Sequence, residues 1–136
     1  MWLGFDIGGT KLAVVVGDDA GRIAARRRRP IHASGNARAD IDAMVADGRE
    51  LLAETGVAPS ALRGVGVTAP GPIDFARGVV ESPPNLAGWG SVPIGAWLAA
   101  AFEAPVHLEN DANAAALAEW LRLADGFRAI PLLEGR

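Results

Sequence analysis

A chain of 136 residues, half of them hydrophobic, has room for one globular domain with a substantial core and none for a second full domain. Its net charge of −3 gives no general attraction for nucleic acid or an anionic membrane, so neither is an expected partner, and no apolar run approaches the roughly 20 residues a membrane span needs. There is no cysteine, which rules out disulfides and thiolate metal sites within the chain, and no basic leader precedes a long apolar segment, so the expected location is cytoplasmic.

Trp2, Leu3 and Phe5 lead into Asp6-Ile7-Gly8-Gly9-Thr10-Lys11, and Leu12, Ala13, Val14, Val15 and Val16 lead out. This is the pattern of a strand, a tight glycine turn and a second strand. Asn-Gly would suffice for a plain hairpin. Here the turn offers amides without side chains and a hydroxyl close to a carboxylate, a combination suited to phosphate oxygens and a hydrated Mg²⁺ ion. It is neither a P-loop nor a dinucleotide fingerprint, and on spacing alone the plain turn and the phosphate cradle both stand. Asp18-Asp19-Ala20-Gly21 forms a second turn, and residues 22–28 resume an extended pattern, completing a three-stranded antiparallel meander that Pro30 ends. The run Arg26-Arg27-Arg28-Arg29 reads as a solvated edge strand in preference to a basic patch.

Residues 38–54 carry Ile41, Met44, Val45, Leu51 and Leu52 at helical spacing, with Ser34 or Asn36 near the start and Gly56 just past the end. Residues 62–68 form a short apolar strand, and the strand, helix, strand order implies a parallel pairing. Ala69-Pro70-Gly71-Pro72 must be a loop, residues 73–81 a small β-excursion turning at Ala76-Arg77-Gly78, and Ser82-Pro83-Pro84-Asn85-Leu86 an irregular segment. Pro93 opens a second helix with Ile94, Trp97, Leu98, Ala101 and Phe102 on its buried face. Residues 106–109 form the next strand, and Asn110-Asp111-Ala112-Asn113 opens a third helix whose stripe is Ala114, Leu117, Trp120, Leu121 and Ala124. The expected fold is α/β, with a mixed five-stranded sheet of three antiparallel and then two parallel strands and flanking helices.

Three polar clusters end strands: Asp6 to Thr10, Thr68 to Gly71, and Asn110 with Asp111. Parallel strands would bring all three to one edge, where open α/β sheets bind ligands. Each residue also has a structural reading. Asp111 can cap a helix or act as the general base for a sugar hydroxyl; Asn110 and Asn85 can be turn residues or contacts to sugar hydroxyls. His107, Glu109, Glu119 and Asp74 read as structural.

Taken in order, Asp6-Ile7-Gly8-Gly9-Thr10-Lys11, Thr68-Ala69-Pro70-Gly71-Pro72-Ile73-Asp74, Pro84-Asn85-Leu86-Ala87-Gly88-Trp89 and Glu109-Asn110-Asp111-Ala112-Asn113-Ala114-Ala115-Ala116 resemble the ROK family of sugar kinases and sugar-responsive repressors. The resemblance runs to about Trp120 and implies the N-terminal lobe of an actin-like ATPase (ribonuclease H-like) fold. It implies ATP and Mg²⁺ as cofactors and a hexose as substrate. Asp6 resembles the Mg²⁺-associated carboxylate, acting through water. Gly8, Gly9, Thr10 and Lys11 resemble the ATP phosphate turn, Asp111 the catalytic base, and Gly71, Asn85, Asn110 and Asp111 the sugar contacts. Family kinases are roughly twice as long, as two lobes enclosing a ligand require. The second glycine-rich segment, the adenosine pocket, a sugar-binding Glu and the family zinc site of one His and three Cys are not found here. The expectation is therefore an N-terminal lobe over residues 1–124 and a truncated connection over 125–136, inactive as a kinase without a complementary C-terminal lobe and open to homo-oligomerisation. The resemblance leaves a second function open, a non-catalytic sugar-sensing or interaction module related to the family's repressors. Those repressors carry a DNA-binding helix-turn-helix ahead of the core, whereas the first strand here begins at Trp2, so direct DNA binding is not expected. Another actin-like ATPase is disfavoured by Asn85 and Asn110-Asp111. Glucose is the reference sugar, with N-acetylmannosamine, fructose and N-acetylglucosamine as alternatives.

Overall fold

The computed structural model describes residues 1–20 and 22–110. In chain order these form β1 (Trp2–Ile7), β2 (Lys11–Gly17), β3 (Ile23–Pro30), α1 (Ala37–Glu54), a 3₁₀ turn (Pro59–Ala61), β4 (Gly64–Ala69), β5 (Ile73–Asp74), β6 (Val79–Glu81), β7 (Ser91–Val92), α2 (Ile94–Phe102) and β8 (Val106–Asn110). The main sheet has the order β3-β2-β1-β4-β8. β1 pairs antiparallel with β2 and β2 with β3, while β4 lies parallel to β1 and β8 parallel to β4. This is the mixed sheet the residue pattern predicts. Its parallel half follows from the two helical crossovers, since strands running the same way cannot be joined by a tight turn.

Alternation along the strands decides which face is dry. Leu3, Phe5 and Ile7 of β1, Leu12, Val14 and Val16 of β2, and Val65, Val67 and Ala69 of β4 are buried, as are Ile41, Met44, Val45, Leu51 and Leu52 of α1 and Ile94, Leu98 and Phe102 of α2. All belong to one core. Gly48 is the reason α1 can lie so close to the sheet. A Cβ there would stand 2.9 Å from the Phe5 ring, 3.0 Å from the Phe102 ring and 3.1 Å from Leu3, so a larger residue would overpack the centre of the core. The Phe5 and Phe102 rings, tilted by 42° at 6.0 Å, seal the same junction.

The N-cap of α1 is Asn36, whose side chain accepts from the Ala39 amide at 3.0 Å. Ser34 has a different task, described below. Beyond the helix, Thr55 closes the last turn onto Leu51 and Gly56 takes a φ of +71°, the reversal a glycine accommodates most easily.

The arginine run is divided by the two-residue period of β3. Arg27 turns towards α1 and binds Glu50 at 2.6 Å and Glu54 at 2.5 Å, and Arg29 binds Asp47 at 2.6 Å. Arg26 and Arg28 point the other way and are exposed. The edge strand is thus clamped to the helix on one side and solvated on the other.

Two features depart from the residue pattern. The 73–81 excursion is present as β5 and β6, but Ser91–Val92 joins it as a third antiparallel strand. Two residues are too few for alternation to show. On α2, Trp97 is only half-buried, at the margin of the helix's buried face, and the Arg38 guanidinium stacks over its ring at 4.7 Å. The expected third helix and the connection at 125–136 lie outside the described residues.

Candidate functional site

β1, β4 and β8 run in the same direction, so their carboxyl ends share one edge of the sheet. Asp6 is in register with Thr68, Thr68 with Glu109, and Ala69 with Asn110. The structure therefore brings together Asp6, the turn at residues 8–11, the loop at Gly71 and Asn110. Asp111, the expected base, lies outside the described residues.

The turn is closed by the Gly8 amide donating to the Lys11 carbonyl at 2.8 Å, and it is tied to the end of β3 by the Ile31 amide donating to the Thr10 carbonyl at 2.8 Å. Thr10 and Lys11 are exposed. Asp6 is half-buried and accepts from the Thr68 hydroxyl at 2.7 Å through Oδ1. The bond orients the carboxylate, and Asp6 also lines a cleft of about 310 Å³ with the turn, Leu12, Ala13 and Arg28. A single oriented carboxylate beside a glycine turn is a donor set that suits Mg²⁺, which keeps most of its water and takes one or two carboxylates.

Asn85 reaches the same place from a distant part of the chain. A Cβ on Gly9 would sit 2.8 Å from Asn85 Nδ2, so the carboxamide rests directly on the turn. The loop that carries it is held by its own apolar residues: Leu86 and Trp89 are buried, and the Leu86 and Trp89 amides donate to the carbonyls of Pro83 and Leu86. Trp89 Nε1 donates to Asp40 Oδ2 at 2.9 Å, and Asp40 Oδ1 accepts from the Ser34 amide at 3.1 Å. Gly88, at φ +81°, packs so close to Gly35 that a Cβ would stand 2.3 Å from its carbonyl oxygen. Two loops are thereby fastened to the first turn of α1, and Asn85 remains exposed over Gly9.

Gly71, joined to Pro72 by a cis peptide bond, follows β4 at the same edge. Its surroundings are open, with a built Cβ meeting only the Ile73 amide nitrogen at 3.8 Å. Among the residues read as structural, His107 is buried against the Trp2 ring at 6.0 Å, and Asp74 accepts from the Arg77 amide at 3.2 Å. Three contributors escaped the sequence reading: Thr68 as the partner of Asp6, Asp40 as the anchor of Trp89, and Arg28 as a wall of the cleft. Asp40 had no signal, since an acidic residue in a first helical turn ordinarily serves the helix dipole at the surface.

The sequence profile of the ROK family matches residues 2–128. An N-acetyl-D-glucosamine kinase from Salmonella arizonae is 36% identical over 137 residues, covering 99% of this chain and 42% of the relative. Among solved structures, the ROK hexokinase from Thermus thermophilus superposes with a TM-score of 0.73 at 38% identity, over 87% of this chain and 37% of that one. A ROK family glucokinase from Streptomyces griseus, solved with glucose and AMPPNP, gives a TM-score of 0.69 at 34% identity, over 91% and 37%. The chain thus spans about 42% of the length of the first curated relative it matches.

Proposed function

The chain belongs to the ROK family, and from that premise we propose that it is the N-terminal lobe of an ATP-dependent sugar kinase, acting on a hexose or N-acetylhexosamine together with a C-terminal lobe. The observation that carries the reading is Asn85 lying on Gly9. A carboxamide able to hold a sugar hydroxyl rests on a turn able to hold a phosphate, so donor and acceptor would be in reach of each other.

In this reading Gly8 shapes the turn through its bond to the Lys11 carbonyl, the amides of Gly9 and Thr10 bind phosphate oxygens, Lys11 lends positive charge, and Asp6 would hold hydrated Mg²⁺. The metal, when bound, neutralises charge on the phosphates. Asn85, Asn110 and the backbone at Gly71 orient the sugar. The attacking hydroxyl gives its proton to Asp111 as its oxygen bonds to the γ-phosphorus, and the bond from that phosphorus to the bridging oxygen breaks, releasing ADP. Such transfer depends on positioning and charge neutralisation more than on covalent chemistry by the protein.

The test is to combine the chain with the C-terminal portion of a ROK kinase and measure sugar-dependent ADP release with glucose and N-acetylglucosamine. Turnover is expected, and Asp111→Ala should lower it by about 10²- to 10⁴-fold. A variant that kept more than about half the rate would remove Asp111 from the role of base. Saturable sugar binding by the chain alone, without turnover in the combined protein, would favour a sensing module instead.

A further inference from the structure

Asp40 is the only carboxylate of α1 that is buried, and among the described residues it forms no ion pair. Burying a carboxylate without a cation is costly unless its oxygens accept hydrogen bonds. Both do: Oδ2 accepts from Trp89 Nε1 at 2.9 Å and Oδ1 from the Ser34 amide at 3.1 Å. The two donors come from the two loops that border the site. The loop ahead of α1 starts at the Ile31 amide, which is bonded to the Thr10 carbonyl of the turn, and reaches Asp40 through Ser34. The loop over residues 82–90 carries Asn85 and is closed at its base by the Ser82 amide donating to the Gly90 carbonyl at 2.6 Å. It contains no strand or helix. Burial of Leu86 and Trp89 fixes how deep this loop sits, but apolar contact is non-directional, so the orientation of Asn85 falls to directed bonds.

We propose that Asp40 is a positioning residue for the sugar: through Trp89 it holds Asn85 over Gly9, and so sets the affinity for the sugar without touching it. The proposal rests on the reading of the chain as a kinase lobe. Glycine turn and sugar loop are then joined twice, directly where Asn85 lies on Gly9, and by the longer path from Thr10 through Ile31, Ser34, Asp40 and Trp89. Asp40 is the one side chain on which both arms of that path end. The plain explanation is that Asp40 satisfies two buried donors and contributes stability alone. That explanation gives a weaker fold with an unchanged affinity for sugar.

Asp40→Asn separates the two at nearly constant volume, because a carboxamide keeps one acceptor oxygen and turns N–H donors towards one of the two N–H groups. In the chain alone, nuclear Overhauser contacts between the Asn85 carboxamide protons and the Gly9 α protons report the placement; they are expected in the wild type and should be lost in the variant. In the protein combined with a C-terminal lobe, Asp40→Asn should raise the KM for sugar by about three- to tenfold and leave the KM for ATP within about twofold. Trp89→Phe removes the same bond from the other side and should act alike, so the test survives a variant that fails to fold. In an Asn85→Ala background, Asp40→Asn should add less than about twofold to the sugar KM, since its effect passes through Asn85. Asn36→Ala, which removes the cap of the same helical turn, is the stability control: it should lower the melting temperature and leave the sugar KM unchanged. Persistence of the Asn85–Gly9 contacts in Asp40→Asn, an unchanged sugar KM, a fully additive effect in the Asn85→Ala background, or an equal rise in Asn36→Ala would each overturn the proposal. Absence of both sugar binding and turnover in the combined wild type would reject the kinase reading and the positioning role with it, whereas wild-type turnover with an unmoved KM in the variants would reject the role of Asp40 alone.

Discussion

Gly9 and Gly88 are small for different reasons, and substitution should separate them. A Cβ on Gly9 would meet only the tip of the Asn85 side chain, which can swing away, so Gly9→Ala should change the melting temperature little. In the protein combined with a C-terminal lobe it should instead raise the KM for sugar, because Asn85 loses its rest position over the turn. A melting temperature lowered as much as that of a core variant would show that the contact is structural. Gly88→Ala has no such escape. The new Cβ would strike the Gly35 backbone and the residue would be held at a positive φ, for an expected loss of about 2–4 kcal/mol in chemical denaturation. Asp6 and Thr68 show how far residue chemistry alone reaches. The motif containing Asp6 was legible as a phosphate turn or a hairpin, but its hydroxyl partner stands 62 positions away and is found only by strand register.

Among the elements, α1 does most to organise the site although none of its residues lines the cleft. Its outer residues neutralise Arg27 and Arg29, its inner stripe builds the core, and its first turn supplies Asp40 to hold Trp89. Asp40→Ala would leave the Trp89 N–H and the Ser34 amide without their acceptor, at an expected cost of about 1–3 kcal/mol. The same variant should speed hydrogen exchange in residues 82–90 before it affects β1 or β4. Uniform acceleration across the sheet would contradict a local fastening role. Asn36→Ala gives the comparison: loss of the cap should cost about 1 kcal/mol without selective loosening of that loop. Periodicity revealed α1 and α2 because each has several turns of repeating pattern, and it missed β7 because two residues carry none.

For the molecule as a whole, one tie spans three segments of the chain. Asp19 accepts from Trp2 Nε1 at 2.9 Å and pairs with Arg63, linking the start of β1, the β2–β3 turn and the approach to β4. Burial pushes the Asp19 carboxyl up, but the Trp2 hydrogen bond and Arg63 outweigh it and hold the group below the usual carboxylate range. A carboxyl lowered in the folded state contributes stability above its unfolded value, near pH 4, and loses it as pH falls through the folded value. Thermal melts from neutral pH downwards should therefore show a decline below about pH 4 that is shallower in Asp19→Asn. An unchanged acid limb in that variant would assign the decline to other carboxyls, among them Asp18, which the Arg22 amide also holds low.

The sequence by itself determined the element order, the sheet with antiparallel and parallel halves, the sheet edge on which the polar clusters meet, and the family. These depend on period, turn chemistry and ordered motifs, all of which are local. Tertiary structure decided what rests on what: Asn85 on Gly9, Trp89 on Asp40, Thr68 on Asp6, and the division of four adjacent arginines into two that are neutralised and two that are not. The physical reason is that hydrogen bonds and charge pairing act over a few ångströms of space, and the residues that meet here are far apart in a chain whose folding alone brings them together, from 18 positions for Arg29 and Asp47 to 62 for Asp6 and Thr68 and further still for Gly9 and Asn85.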